Sequence, residues 1–399
     1  MRRELVTETA PEQPGTTTAS LATVAREWTR IGVTGFGGPP AHIVLLRRLM
    51  VERKRWMDAH EFEDANAACG LLPGPSSTQL AIFCAYRVGG PLGAIVGGLG
   101  FVVPAVTLVL LLSIVFFGSA PPLWIRGAGA GAGAAVAAVA VDAARSLLVP
   151  SYERVRADRG RLARWAVYLA AAAAGAALLG PFLVLVLLGC GATELLIRRR
   201  PAIAPGLHWG ALGALAPRAV SVGGLGALSW TAFKVGALSY GGGFVIIPLM
   251  QSDAVHSYHW MTNTEFLNAV ALGQVTPGPV VATVAAVGYA AHGIGGGLLA
   301  AVVAFTPSFS FILLGGERFG RLRESANARA FLDGAGPAAI GAILGAAIPL
   351  TGALRETWQL GVLAAAAVAL LALRRSAVVT LLAAGAIGVV LALAGAPIP

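Results

Sequence analysis

Leu72-Pro73-Gly74-Pro75 runs directly into Ser76-Ser77-Thr78-Gln79. A helix starting after Pro75 would turn these hydroxyls and its free first-turn N–H groups toward one point. The chemistry such a turn offers is hydrogen-bond donation. The plainer reading is that Ser and Thr merely cap a broken helix. A second turn, Thr276-Pro277-Gly278-Pro279, is followed by Val280, Val281, Ala282 and Thr283. It would contribute mainly backbone N–H groups and the Thr276 hydroxyl. Two glycine clusters, Gly37-Gly38-Pro39 and Gly241-Gly242-Gly243, precede these turns. Beyond donors the chain offers little. There is no Ser/His/Asp arrangement, no His/Cys metal spacing and no GxxxxGK[ST] loop, so an enzyme, a metal site, a bound cofactor and ATP-driven pumping are all disfavoured. Cys69, Cys84 and Cys190 stand in apolar surroundings without CxxC pairing.

The elements that must hold these turns are apolar. Of 399 residues 56% are hydrophobic and 12% charged, about half the usual charged share of a soluble domain. A water-soluble globule is excluded. The net charge of +10 would suggest nucleic acid in a soluble protein; in this chain it fits basic loops on the cytoplasmic side of a membrane. The first residues are polar and rich in Pro and Thr, a tail rather than a cleavable signal. Apolar stretches at 92–117, 127–147, 163–180, 181–197, 294–315, 333–353, 357–373 and 376–396 reach or approach the length that crosses ~30 Å of hydrocarbon. Four more, at 20–46, 61–90, 219–250 and 266–290, are interrupted by the Gly and Pro clusters. Such backbone survives at membrane depth only inside protein or beside a wet cavity. Gly127/Gly131 and Gly129/Gly133, at GxxxG spacing, predict close helix packing.

A shift of 204 residues superposes the second half on the first without gaps. Phe36-Gly37-Gly38 falls on Tyr240-Gly241-Gly242, Trp56-Met57 on Trp260-Met261, Pro73-Gly74-Pro75 on Pro277-Gly278-Pro279, and Phe101 on Phe305. The basic residues then alternate. Loop 47–55 carries five Lys and Arg against none in 251–259; loop 118–126 carries only Arg126 against four Arg in 317–329; loop 150–164 carries five Arg against Arg355 alone in 351–357. By the positive-inside rule the halves lie in opposite orientations. Paired broken helices in inverted repeats are an architecture of secondary transporters.

Phe36-Gly37-Gly38-Pro39, Arg53-Lys54-Arg55-Trp56-Met57 and Leu72 through Leu80 resemble the chromate ion transporter family, in its long-chain, two-domain form. Phe244 through Leu249 and Gln274-Val275-Thr276-Pro277-Gly278-Pro279 carry the same resemblance in the second half. The resemblance implies efflux of chromate, with sulfate as its look-alike and with coupling to the proton gradient. Loop 251–259 departs from the pattern in having a single acid, Asp253.

A tetrahedral dianion needs donors and positive potential, yet must be released. Half-helix N-termini supply partial charge without a tight trap, which makes Ser76, Ser77, Thr78 and Gln79, with Pro73, Gly74 and Pro75, the expected oxyanion turn. Arg30 and Lys234 occupy equivalent positions ahead of the glycine clusters, and Arg87 follows the first Pro-Gly-Pro turn. Intramembrane cations are functional candidates, with snorkelling to the interface as the alternative. His42, Glu61 and Glu265 are candidates for proton coupling. Asp58 to Glu61 and Thr262 to Glu265 have capping-box spacing, which favours a structural role for both glutamates, and His42 reads equally as an interfacial histidine.

The expected fold is an all-α polytopic membrane protein with two inverted-topology repeats and Gly/Pro-broken helices. Residues 1–19 form the tail, 20–200 the first repeat, 201–217 a linker and 218–399 the second repeat. The expected partners are a chromate- or sulfate-type oxyanion and the lipid bilayer of the cytoplasmic membrane, with no nucleic acid and with a homodimer left open. The competing readings are a transporter of sulfate or another oxyanion and an uncoupled anion channel.

Overall fold

The computed structural model of the protein describes residues 19–118, 120–178, 182–199, 224–239, 244–315 and 325–399. Gly241, Gly242, Gly243, the linker 201–217, residues 1–18 of the tail, Arg200 and most of loop 317–329 lie outside them. The described residues form fourteen α-helices and no strand.

Ser20 starts the first helix by accepting a hydrogen bond from the Thr23 N–H at 3.3 Å, and α1 (Leu21–Thr34) then runs to Gly35. After the glycine turn come α2 (Pro39–Arg47), a π turn (Arg48–Arg53) and α3 (Ala59–Leu71). Beyond Pro75, α4 (Ser76–Phe116) is broken at Gly90, whose φ of 62° and ψ of −159° are not helical. Gly93 and Gly97 pack back on Ala85, so the half-helix after the break and the stretch read as 92–117 are two separate arms that fold against each other. Then follow α5 (Leu123–Glu153), α6 (Arg159–Leu178) and α7 (Leu183–Arg199).

The second half repeats the series. It contains α8 (Leu225–Leu238), α9 (Ile246–Gln251), a π turn (Ser252–Ser257) and α10 (Asn263–Val275). A 3-10 turn (Val280–Ala282) leads into α11 (Thr283–Gly315), and α12 (Ala326–Gly352), α13 (Thr357–Ala367) and α14 (Ala377–Leu393) complete the chain. The bounds of α1 and α8, of the π turns at Arg48–Arg53 and Ser252–Ser257, and of α3 and α10 differ by 204 residues, as do the left-handed residues Arg55 (φ 52°) and His259 (φ 51°). Beyond the Pro-Gly-Pro turns the spacing becomes 203. The kinks fall at Gly90 and Gly293, and Gly32 packs on the Phe101 carbonyl where Gly236 packs on that of Ala304. The ungapped superposition therefore fails by one residue after position 280, and Phe101 corresponds to Ala304 rather than Phe305. The second half opens its helix with the tighter 3-10 turn.

Packing interlocks the halves. The long helix α5 of the first half lies against α13 and α14, and its counterpart α12 lies against α6 and α7. Small residues make both seams, as the GxxxG spacing predicts. A Cβ at Gly127 would stand 2.6 Å from the Gly388 carbonyl oxygen, and Gly131 meets the same turn of α14. Gly129 and Gly133 face Asn268 and Leu267 of α10. On α12, Gly341 and Gly345 approach the Leu169 and Ala173 carbonyls of α6. Outward-facing large side chains (Leu92, Ile95, Leu99 and Val103 on α4; Ile294, Leu298 and Val302 on α11) recur at three- and four-residue spacing, the signature of helix faces turned to lipid. Among the described residues four helices, α4, α5, α11 with its 3-10 turn, and α12, are long and apolar enough to cross a membrane.

Candidate functional site

Each Pro-Gly-Pro turn is seated in the opposite half. Gly278, at φ +94°, lies against the Gly32 carbonyl of α1 and against Ala105 of α4, and its N–H donates to the Gly35 carbonyl at 3.0 Å. Gly74, at φ +116°, lies against the Gly236 carbonyl of α8 and Ser308 of α11. Both positions demand glycine twice over, by the positive φ and by the close approach of another backbone. By this reciprocity each turn crosses into the half it does not belong to.

At the Gly278 crossing the first half contributes a hydrogen-bonded chain. His42, fully buried on α2, sets Nε2 3.0 Å from the Gly35 carbonyl and Nδ1 3.3 Å from Ser77 Oγ. A carbonyl only accepts, so Nε2 carries the hydrogen, and in the neutral ring Nδ1 accepts the Ser77 hydroxyl. Gly35 thus accepts from His42 and from Gly278 together. The Phe101 ring meets the imidazole edge-on, with centroids 5.0 Å apart.

The expected donors divide sharply. Thr78 is fully buried and its hydroxyl has no protein partner, and no side chain caps the N-terminus of α4. Gln79 is also fully buried; its Nε2 donates to the Pro73 carbonyl at 2.7 Å, while its Oε1 is unpartnered. Ser76 is half-buried. In the second half the expected donor is already used. The Thr276 hydroxyl donates to the Gly273 carbonyl at 3.3 Å, and that of Thr283 to the Val280 carbonyl at 2.7 Å. Pro277, Gly278 and Pro279 are buried, whereas Gly37 is exposed and Gly38 and Pro39 half-buried at the start of α2.

The charged candidates mostly bind one another. Arg87 and Glu61 form an ion pair at 2.6 Å. Glu265 closes a capping box, accepting from the Thr262 N–H at 2.7 Å while Thr262 Oγ1 accepts from its own N–H at 3.2 Å. Arg30 is exposed and shares a surface depression with Arg26, Glu27, Arg53 and Lys54, which none of the break residues lines. Lys234 is buried and bound to Asp253 at 2.5 Å, with Thr231 donating to the same carboxylate oxygen at 2.6 Å. Asp253, read from sequence as an external loop acid, lies buried in the second π turn. In the first half the polarity is reversed: Glu27 of α1 is bound by Arg53 of the first π turn.

The chromate transporter family model matches residues 22–195 and 226–389, two matches that start 204 residues apart. The chain belongs to the chromate transporter family. It is 31% identical over 86% of its length to a chromate transport protein of Cupriavidus metallidurans, covering 87% of that relative. It is 32% identical to a chromate transport protein of Pseudomonas aeruginosa, over 79% of this chain and 77% of the relative. A probable chromate transport protein of Synechococcus elongatus is 28% identical over 83% of this chain and 84% of its own. No solved structure matches the chain. As a chromate transporter family member with several apolar helices it is a multi-pass membrane protein, and the breaks that carry its family motifs are the ones that cross between its halves.

Two site residues escaped the sequence reading. Ser308 on α11 is fully buried with an unpartnered hydroxyl, and Oγ and Gln79 Nε2 both lie within 3.6 Å of the point where a Gly74 Cβ would stand. Gln274, just ahead of the second Pro-Gly-Pro turn, has a buried Nε2 without a partner. A lone Ser in an apolar helix carries no spacing signal. Gln274 did stand in a recognised motif, and its amide beside Thr276 was the available clue.

Proposed function

We propose that the protein exports chromate across the cytoplasmic membrane as a secondary transporter, and so confers chromate resistance. The observation that carries this reading is the set of buried donors without partners beside the crossed breaks: Thr78 Oγ1, Ser308 Oγ and Gln274 Nε2. Orphaned buried donors are costly, and a tetrahedral oxyanion supplies acceptors on every side. With the α4 N-terminus they offer partial positive charge and no unpaired guanidinium, which suits an ion that must leave again. The names of the relatives from Cupriavidus and Pseudomonas support chromate as the cargo.

The inverted orientation of the halves belongs to the same proposal. The alternation of basic loops supports it, as does the reciprocal seating of Gly74 and Gly278, which is what a two-fold relation between the halves produces. His42 is the coupling group. A proton arriving at Nδ1 turns the ring from acceptor to donor toward Ser77, and the Ser77 hydroxyl hydrogen is then free to turn to the anion. Glu61 and Glu265 are engaged elsewhere and take structural roles. The test is uptake of chromate and of sulfate into inverted membrane vesicles, with and without an imposed pH gradient. Chromate uptake that responds to the gradient is expected. Uptake of sulfate alone would assign the cargo to sulfate, and indifference to the gradient would remove proton coupling.

A further inference from the structure

Four arginines from three separate stretches of chain line one cavity of 490 Å³. Arg154 comes from the turn after α5 and Arg161 from the first turn of α6, Arg198 from the end of α7, and Arg329 from the start of α12. Among the described residues of the lining Asp333 is the one acid, held by Arg198 at 2.6 Å and Arg161 at 3.4 Å. Glu194, behind the wall, takes Arg164 and Arg198 at 2.8 Å each. Positive charge therefore exceeds negative in the lining. Arg161 Nε is buried without a hydrogen-bond partner, and Arg154 Nε donates to the Pro150 carbonyl of its own helix at 3.3 Å. Guanidinium forks in this state accept a planar or tetrahedral oxyanion readily. The cavity also touches Gly70 of α3, two residues ahead of the turn that begins at Leu72.

We propose that this cavity is an entry vestibule that captures a tetrahedral oxyanion before it reaches the crossed breaks. The proposal rests on the reading of the protein as an oxyanion exporter. The basic stretches 150–164, 198–200 and 317–329, expected on the cytoplasmic side, all contribute a wall residue or border one. The volume admits a hydrated ion, so capture there needs no dehydration. Asp333 offsets part of the charge and keeps the ion from being trapped. Converging positive charge raises the local anion concentration. The same chemistry, a phosphoryl oxygen facing several guanidiniums, would hold the headgroup of an anionic lipid.

The full-length protein, purified in detergent, is titrated with sodium sulfate against sodium chloride of equal ionic strength while its unfolding temperature is followed. Wild type, Arg154→Gln/Arg161→Gln and Arg154→Lys/Arg161→Lys are compared, with Arg154→Gln alone as the milder variant should the double variant not fold. The sulfate needed for half of the stabilisation rises about threefold or more in the Gln variants, and the Lys variant recovers most of the loss. Coincident curves for wild type and the Gln variants overturn the proposal. A second arm replaces sulfate with phosphatidylglycerol in phosphatidylcholine nanodiscs. If the Gln variants lose stabilisation by that lipid and keep it with sulfate, the cavity holds a headgroup and the vestibule is overturned. Wild-type vesicles that move neither chromate nor sulfate would defeat the transport reading alone, because the sulfate titration reports on the cavity independently.

Discussion

Ser77 Oγ and His42 Nδ1 face each other at 3.3 Å across the first break, joining the turn that starts α4 to the helix that follows the glycine cluster. In this arrangement the serine hydrogen is committed to the imidazole whenever the ring is neutral. Lowering the pH should therefore lower the half-saturating chromate concentration of the wild type. His42→Gln should flatten that dependence, and Ser77→Ala should abolish it while leaving Thr78 in place. Uptake into vesicles clamped at a series of pH values measures this, and an unchanged slope in His42→Gln would remove His42 from coupling.

Thr78 and Ser308 are expected to act as direct donors. Hydrogen bonds to a charged acceptor contribute about 1.5–3 kcal/mol, so each Ala substitution should weaken apparent chromate affinity roughly tenfold or more. Because neither hydroxyl has a protein partner, the same substitutions should leave the unfolding temperature nearly unchanged. A fall in stability without a change in affinity would assign both to packing.

Gly278→Ala and Gly74→Ala should damage folding and transport together. Each forces a side chain into a left-handed backbone that costs about 1–3 kcal/mol, and the new methyl group would stand 2.8 Å from Ala105 Cβ or from Gln79 Nε2. At Gly74 the methyl group would also stand 3.0 Å from the Gly236 carbonyl oxygen, so moving Gln79 aside does not relieve the clash. Unfolding temperatures in detergent rank the two.

Lys234 and Asp253 should behave as a unit. Removing one partner of a buried pair costs about 3–5 kcal/mol, so Lys234→Met and Asp253→Leu should each lower yield and stability. The double variant should recover most of both. If it also transports chromate, Lys234 holds the π turn against α8 and does not attract the anion.

Asp158, in the exposed turn before α6, accepts the N–H of Arg161 at 3.1 Å and that of Gly160 at 2.8 Å. Hydrogen bonding to the Arg161 N–H chiefly holds its carboxyl below the ordinary 3.8. A depressed carboxyl stabilises the fold above that value and loses its contribution as the pH falls through the folded value. Asp158→Ala should thus unfold at a lower temperature than wild type at pH 7, and the two should converge in strong acid.

The breaks and the duplication were legible because Trp is rare and the Gly-Pro blocks recur whole at one spacing. Trp56 and Trp260, or Pro73-Gly74-Pro75 and Pro277-Gly278-Pro279, can hardly match in register by accident. The one-residue slip after position 280 was not legible, since a 3-10 turn of Val and Ala looks the same as an α turn in sequence. Nor was the fate of the charges. Lys234 and Asp253 lie nineteen residues apart, joined only because the π turn folds Asp253 back onto α8. Arg87 and Glu61, separately singled out, cancel because α3 lies against α4.

The interlocked seams have a consequence for how the protein is made. When the ribosome has completed α7, α5 and the groove at Gly32 still lack α13, α14 and the Gly278 turn that will cover them. The first half must wait in the bilayer with its seams lined by lipid until the second is inserted. Neither half is then a separate folding unit. A gene cut within 201–217 should yield two fragments that are degraded when produced singly and persist when produced together.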